Sequence, residues 1–399
     1  MIFSSARVRM DDYNQYQLTE LLRQAVDWNF VVEASIHHRV AGLVYHNLNE
    51  IETNQNIPFD ILSKLKQYYE QTTSKNLGLW KEFCRIQEAL RRAKIEPIPI
   101  KGIILTHTLY HNLGLRPIID IDILVRERDV SKTEEIISQI GYKKWTHTTK
   151  DYYRSHHCDV TYYLKRDLPD LSIVLDIHWN FVIPRPRRID FTNVWGRAKK
   201  KLINHTEVLL LSPEDTLFCL CLHLRRHIRD LLLKHICDIS ELLILYKDRF
   251  DWDYVVSKAR GNRMRFTLYF ALFSAKELLG TEVPEVVLNG LSPGFFRRRL
   301  IGQFISKETF LYRRLPRLDS KNYWRIGIFL HFLILDSICD FLIYAILVPI
   351  EEFSKFFSLP FESKKTVFLY HVRFIYIPLR IIIYLADGLI KILSKSLKT

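Results

Sequence analysis

Asp120 and Asp122 sit in the run Pro117-Ile118-Ile119-Asp120-Ile121-Asp122-Ile123-Leu124-Val125. The run alternates and is rich in β-branched residues, so it reads as a strand. Residues two apart on a strand point to the same face, which holds two carboxylates side by side in an apolar segment. Like charges that close repel, and burying them is unfavourable unless something offsets it. A divalent cation is the usual offset, so the pair reads as half of a metal site. An Asp-x-Asp strand is common by itself, and its surroundings must decide.

Those surroundings have an order. Pro97-Ile98-Pro99-Ile100 is a short extended stretch, broken by Lys101-Gly102, and Ile103 to His111 follows as a helical segment. Downstream, Asp129 to Ile140 carries a capping-box pattern, Ser131 with Glu134 three later, and closes at Gly141, which predicts a helix. Two further strands are predicted, Asp159 to Leu164 and Leu171 to Trp179. The second carries Asp176 and His178 on one face. An antiparallel pairing with the Asp-x-Asp strand is expected to bring Asp176 to the first two acids. His156 and His157 precede the first of these strands and could line the same cleft.

The sequence Lys-Gly, helix, Arg116-Pro117, Asp120-Ile121-Asp122-Ile123-Leu124-Val125, then Leu175-Asp176-Ile177-His178-Trp179 resembles the uncharacterised bacterial nucleotidyltransferases of the polymerase-beta-like superfamily. The likeness covers roughly Ile98 to Trp179. Lys101-Gly102 stands where the commoner pattern has Gly-Ser or Gly-Gly, although Lys-Gly is what this subgroup looks like. The resemblance implies that Asp120, Asp122 and Asp176 are the catalytic acids and hold two magnesium (or manganese) ions. It also implies a nucleoside triphosphate as donor. The chemistry agrees, since attack on an α-phosphate builds charge on the attacking and leaving oxygens, and two ions about 3.5–4 Å apart stabilise both. Magnesium binds through one or two carboxylates plus phosphate oxygens. Gly102 would let the backbone approach the triphosphate, and Lys101 would add a point charge. Arg116 could position a phosphate or pair with a surface acid, and His178 could bond a ligand or pack as a structural group.

The flanking segments are helical. Gln17 to Asp27, Phe30 to Leu48 and Pro58 to Ile95 carry apolar residues at three- and four-residue spacing. His37-His38-Arg39-Val40 lies inside the second of these and resembles a His-Arg-Val stretch of the same subgroup, expected to serve as a cap over the site. Ser212-Pro213-Glu214-Asp215 is a helix start. That helix holds Cys219, Cys221, His223 and His227, but positions two apart on a helix lie about 200° apart, so the cysteines cannot share an ion. The next helix, about Asp230 to Tyr246, carries Lys234, His235 and Asp238. The resemblance would let Lys234 or Asp238 face the nucleotide; ordinary helix-surface charge is the plainer reading.

The expected class is therefore α+β, a small mixed or antiparallel nucleotidyltransferase sheet flanked by helical regions. A chain of 399 residues exceeds one usual core. The expected division is a helical region over 1–95, the catalytic core over 96–205, a helical domain over 206–290 and a basic, apolar helical region over 291–399. Six cysteines without a dense pattern predict no disulfide framework and a cytoplasmic setting, and Met1 to Arg9 shows no signal peptide. Net charge is +14, of which residues 291–399 supply +9 (17 Lys and Arg against 8 Asp and Glu). The arginine clusters Phe295-Phe296-Arg297-Arg298-Arg299 and Arg313-Arg314-Leu315-Pro316-Arg317, with the apolar stretches Ile326 to Ile350 and Val367 to Leu393, read as core helices of a further region. The alternatives are peripheral attachment to an anionic membrane surface and, last, true spans, which Asp336 and Asp340 oppose. No nucleic-acid module is visible. The functional expectation is transfer of NMP to an unidentified hydroxyl acceptor. The alternatives are a non-catalytic nucleotide-binding protein and phosphoryl transfer on the same scaffold.

Overall fold

The structure, a computed structural model, describes residues 1–51, 56–145, 158–165, 172–181, 191, 193–228, 231–312, 330–337, 339, 353–354, 359–360, 363–379 and 383. His156, His157, Arg313, Arg314, Arg317 and most of Ile326 to Ile350 lie outside the described residues.

The N-terminal helices are α1 (Ile2–Ser5), α2 (Asp12–Leu22), α3 (Trp28–His37), α4 (Ala41–Glu50) and α5 (Phe59–Arg92). Asp11 and Asp27 set two of the starts, their carboxylates accepting from the N–H groups of Asn14 (2.8 Å) and Phe30 (3.0 Å). The predicted helix Gln17 to Asp27 is thus shifted toward the N-terminus, and the predicted single helix Phe30 to Leu48 is two. The break is His38-Arg39-Val40, with Arg39 at φ 58°. His38 is buried, and its ring bonds distant backbone, Nδ1 accepting from Leu233 N–H (3.3 Å) and Nε2 lying 3.3 Å from Leu311 O. Those tertiary bonds override the apolar periodicity that favours one continuous helix.

Five strands form the central sheet: β1 (Ile98–Ile100), β2 (Ile121–Leu124), β3 (Lys143–Lys144), β4 (Asp159–Leu164) and β5 (Ile173–His178). Their order is β1-β2-β5-β4-β3. β1 is antiparallel to β2, β4 to β5 and β3 to β4, but β2 and β5 run parallel, with Asp122 opposite Asp176. The sheet is mixed, mostly antiparallel, and the antiparallel neighbour expected for the Asp-x-Asp strand is corrected to a parallel one. Between β2 and β5 the chain passes through α7 (Val130–Gln139) and two strands on the far side of β5, long enough to return in the same direction.

The capping box predicted for α7 does not form: the N-cap is Asp129, and Ser131 lies inside the helix. Glu134 instead accepts from Lys144 Nζ (2.5 Å) and Tyr162 Oη (3.0 Å), tying the helix to the sheet. The β-hairpin β6 (Lys199–Ile203) and β7 (Thr206–Leu210) was not anticipated. Its two-residue turn puts Asn204 and His205 at φ 44° and 65°, the sign pattern tight hairpin turns require.

Pleat parity divides the sheet. Ile121, Ile123, Val160, Tyr162, Ile173, Leu175 and Ile177 enter one apolar core with the later part of α5. Each such buried aliphatic side chain contributes on the order of 1.5–3 kcal/mol. The other parity carries Asp122, Asp159, Thr161, Asp176 and His178. The second core joins the N-terminal helices to α9 (Pro213–Arg226), α10 (Leu233–Tyr246), α11 (Trp252–Gly261), α12 (Arg265–Leu279), α13 (Glu285–Leu291) and α14 (Phe295–Phe304); α8 (Val194–Arg197) is a single turn before β6. Ser212 caps α9 as predicted, accepting from Asp215 N–H. α5 belongs to both cores, with Ile61 and Leu65 in one and Leu79, Trp80, Phe83, Ile86 and Leu90 in the other.

No helix among the described residues is long and apolar enough to cross a membrane. Asp336, one of the acids that opposed a span, caps α12 by accepting from the N–H groups of Arg265 (3.0 Å) and Phe266 (2.8 Å).

Candidate active site

The strand register builds two rows of side chains on the polar face. Asp122 on β2, Asp176 on β5 and Thr161 on β4 form one row; His178 on β5 and Asp159 on β4 form the next. Asp120 lies just before β2 and is half-buried, whereas Asp122 is buried. One ligand atom each from Asp122, Asp176 and His178 falls within 4.8 Å of the others, and so does one from Cys158, Asp159 and His178. The first trio fits a divalent cation: two carboxylates supply the hard oxygens that magnesium or manganese prefers. The second is already satisfied, since Arg226 Nη1 donates to Asp159 Oδ2 at 2.6 Å and burial pushes the Cys158 thiol up to about 12.

Lys101 enters this face from the turn between β1 and α6 (Gly102–Thr108). Its Nζ donates to Asp122 Oδ1 at 2.5 Å, and the two side chains are only 13% and 3% exposed. His178 Nε2 reaches the same oxygen at 2.8 Å. A carboxylate oxygen accepts only, so Nε2 carries the proton and Asp122 Oδ1 receives two donors. Burial alone would raise the Asp122 pKa; the charge of Lys101 outweighs it and holds the group well below the usual carboxylate range. The same pairing keeps Lys101 firmly protonated against its burial.

The other two acids titrate the opposite way. Burial, then the charge of Asp122, pushes Asp120 up to about 6. Asp176 is also raised, by burial and by Asp122, although Thr161 Oγ1 donates to its Oδ1 at 2.7 Å. The unequal sharing follows from geometry: Asp122 has both nitrogen donors, and its neighbours are left with its negative charge.

Gly102 and Arg116 meet each other directly. A Cβ on Gly102 would stand 2.4 Å from Arg116 Nη1, so only glycine allows the turn to lie on that guanidinium. Arg116 is fully engaged: Nε and Nη2 donate to the two oxygens of Asp238 on α10 at 2.8 and 2.7 Å, and Tyr110 Oη donates to Oδ1 at 2.8 Å. Asn76 on α5 fixes the approach to β2 by donating to the carbonyls of Leu113 (2.7 Å) and Arg116 (2.8 Å) and accepting from Ile118 N–H (3.1 Å). Arg116 does pair with an acid, but the partner is the buried Asp238 and not the surface acid expected.

Lys234 and Asp238 are not surface charges, as the plainer reading had them, but 8% and 1% exposed. α10 packs onto α9 and α12 and so turns both residues inward. Burial, with the charges of Arg116 and Arg39, lowers the Lys234 ammonium to about 7, and Asp120 lies close enough to pull it back up. Arg39 senses Asp120 and Arg116 as well. Lys234 and Arg39 thereby stand at the Asp120 end of the site. His223, His227 and His235 form a ring cluster with centroids 4.5, 5.2 and 5.7 Å apart. None of the three belongs to a metal-spaced group among the described residues.

Residues 24–280 match a family described as uncharacterised nucleotidyltransferase. The chain belongs to that family. The matched span contains Arg39, Lys101, Asp120, Asp122, Asp176, Lys234 and Asp238, so the candidate site lies wholly within the nucleotidyltransferase portion. Among solved structures, an antigenic nucleotidyltransferase-like protein from Paracoccidioides brasiliensis is similar over 53% of this chain and 96% of its own, at 14% identity and a TM-score of 0.35. No curated protein matches. Sequence reasoning missed Asp159, Thr161 and Arg226 as parts of this candidate nucleotidyltransferase site. Asp159 was legible only as the first residue of a strand, and its pairing with Arg226, 67 positions away, leaves no local signal.

Proposed function

We propose that the protein is a metal-dependent nucleotidyltransferase that moves NMP from an NTP to a hydroxyl acceptor. The observation that carries this is Asp122 opposite Asp176 across two parallel strands, with Asp120 beside them. Asp122 and Asp176 would hold magnesium or manganese, with His178 donating to Asp122 and steadying it, and the ion when bound offsets the charge that builds on the phosphate oxygens. Arg39 would take the triphosphate, joined by Lys234 where that amine is protonated, because both lie near Asp120. Asp176 would accept the proton of the attacking hydroxyl, since it lies on the same polar face as Asp122. The acceptor class is left open among small molecules, glycan or lipid-linked intermediates, peptides and protein side chains.

The test is thermal stability against each NTP with and without magnesium, in the wild type and in Asp176→Asn. A magnesium-dependent rise with one NTP, absent from the variant, is the expected result; at a free ligand concentration about 100 times Kd it corresponds to about 2.7 kcal/mol. A rise without any turnover would favour the nucleotide-binding alternative, and no rise with any NTP would sink the proposal.

The C-terminal region adds a place to this reading. Phe295 and Phe296 are 61% and 81% exposed beside the exposed Arg298 and Arg299 on α14. That combination supports attachment to an anionic membrane surface. Co-sedimentation with phosphatidylserine vesicles at low salt should recover the wild type and lose Phe296→Ser/Arg298→Glu. Equal recovery of both would remove the membrane from the picture.

A further inference from the structure

Two nitrogens already occupy the approaches of Asp122 Oδ1, Lys101 Nζ at 2.5 Å and His178 Nε2 at 2.8 Å. The ammonium is no visitor from solvent. Lys101 is 13% exposed on its side chain, and Cys219 on α9 lies close to it. Its backbone sits at φ 56°, ψ −137°, a conformation that glycine adopts readily and lysine does not. Such a conformer persists only where the surroundings hold it, and such residues cluster at functional positions. The side chain gains the one thing a glycine could not give the site, a positive charge on Asp122.

We propose that Lys101 is a built-in cation standing in one of the two ion positions, so that the protein works with a single divalent ion, seated toward Asp176. This rests on the metal-dependent reading above and changes both its stoichiometry and the part Asp122 plays, from ligand of the ion to holder of the ammonium. With the ammonium in place, a second ion bridging Asp120 and Asp122 would have to approach within ion-pair distance of an existing charge on the same carboxylate. The hydroxyl or phosphate oxygens that a second ion would otherwise contact would meet the Lys101 ammonium, a compact donor of three hydrogen bonds. Asp122 would then be a positioning residue that holds this cation, and Asp176 and Asp120 would face the exchangeable ion.

The experiment counts bound Mn2+ per chain by electron paramagnetic resonance and equilibrium dialysis, in the full chain. The wild type is compared with Lys101→Gly, which removes the charge and suits the backbone, and with Lys101→Gln, which removes the charge but keeps an N–H donor for Asp122. The expected count is one ion in the wild type and one more in a neutral variant, with spin coupling between the two ions at that pair's short separation. Lys101→Arg, which keeps the charge, should retain the wild-type count. Two ions in the wild type, or equal non-zero counts in wild type and both neutral variants, would overturn the inference while leaving a metal-dependent site. No Mn2+ in any of the four proteins would overturn the metal reading itself. If one neutral variant fails to fold, the other decides the count.

Discussion

Asp122→Asn should destabilise the metal-free protein by about 3 kcal/mol or more, whereas Asp120→Asn, two residues away, should stabilise it. The contrast follows from which acid holds the lysine. Asparagine at 122 removes the charge that pairs with Lys101 and leaves an ammonium buried without its counterion. Breaking a buried pair in this way costs about 3–5 kcal/mol, a loss of several degrees in melting temperature. Asp120 has no such nitrogen donor among the described residues, and its pKa of about 6 against an ordinary 3.8 means that its ionised form is penalised in the folded state. At about 1.4 kcal/mol per unit that penalty is at most about 3 kcal/mol. A raised carboxyl pKa makes the fold bind the proton more tightly than the unfolded chain, so stability falls as pH rises from 3.8 to about 6. The advantage of Asp120→Asn should be complete above about pH 6 and absent below about pH 4, the unfolded carboxyl value. Both variants should lose turnover. Calorimetric scans from about pH 4 to about pH 8 check the stability claim; an Asp122→Asn protein as stable as the wild type or more so would refute the pairing assigned to Lys101, and a destabilised Asp120→Asn would refute the penalty assigned to Asp120.

Asp238→Ala should be more damaging still. Its carboxylate is 1% exposed and receives Arg116 through two parallel bonds and Tyr110 through a third, so alanine strands a buried guanidinium and a buried phenol together. Breaking a buried ion pair costs about 3–5 kcal/mol, and the stranded phenol adds to that loss. Arg116 also lies against Gly102 and close to Asp120, so the damage should spread to the Lys101 turn. The double variant Arg116→Met/Asp238→Leu should recover much of the stability, because it removes both charges instead of one. Urea midpoints separate the cases. An Asp238→Ala midpoint close to the wild type would show that the pair is dispensable.

The chemistry of the polar face was legible because strands are local. Alternation placed Asp120 with Asp122 and Asp176 with His178 before any pairing was known, and β4 and β5 lie within a residue or two of their predicted ends. The direction of β2 against β5 was not legible, since it depends on a crossover rather than on either strand's composition. The same holds for Arg39, Lys234 and Asp238. Periodicity reads Arg39 as mid-helix and the other two as solvated charge; only the packing of α10, and the bonds His38 makes to Leu233 and Leu311, turn all three inward. Residues acting through distant partners are invisible one at a time, which is why Arg116 could be named from sequence but its partner could not.

α5 has a mechanical consequence. At 34 residues it is about 50 Å of uninterrupted helix, and it contains no proline, the residue most apt to kink a helix. One end is embedded with the N-terminal helices and the other beneath the sheet, while Asn76 in between grips the segment leading to β2. The walls of the site are therefore bolted to a single beam. They cannot swing apart like jaws without bending that beam and opening both apolar interiors together, so substrate entry must come from short-range side-chain and loop movement. Heat should melt the two cores in one cooperative step.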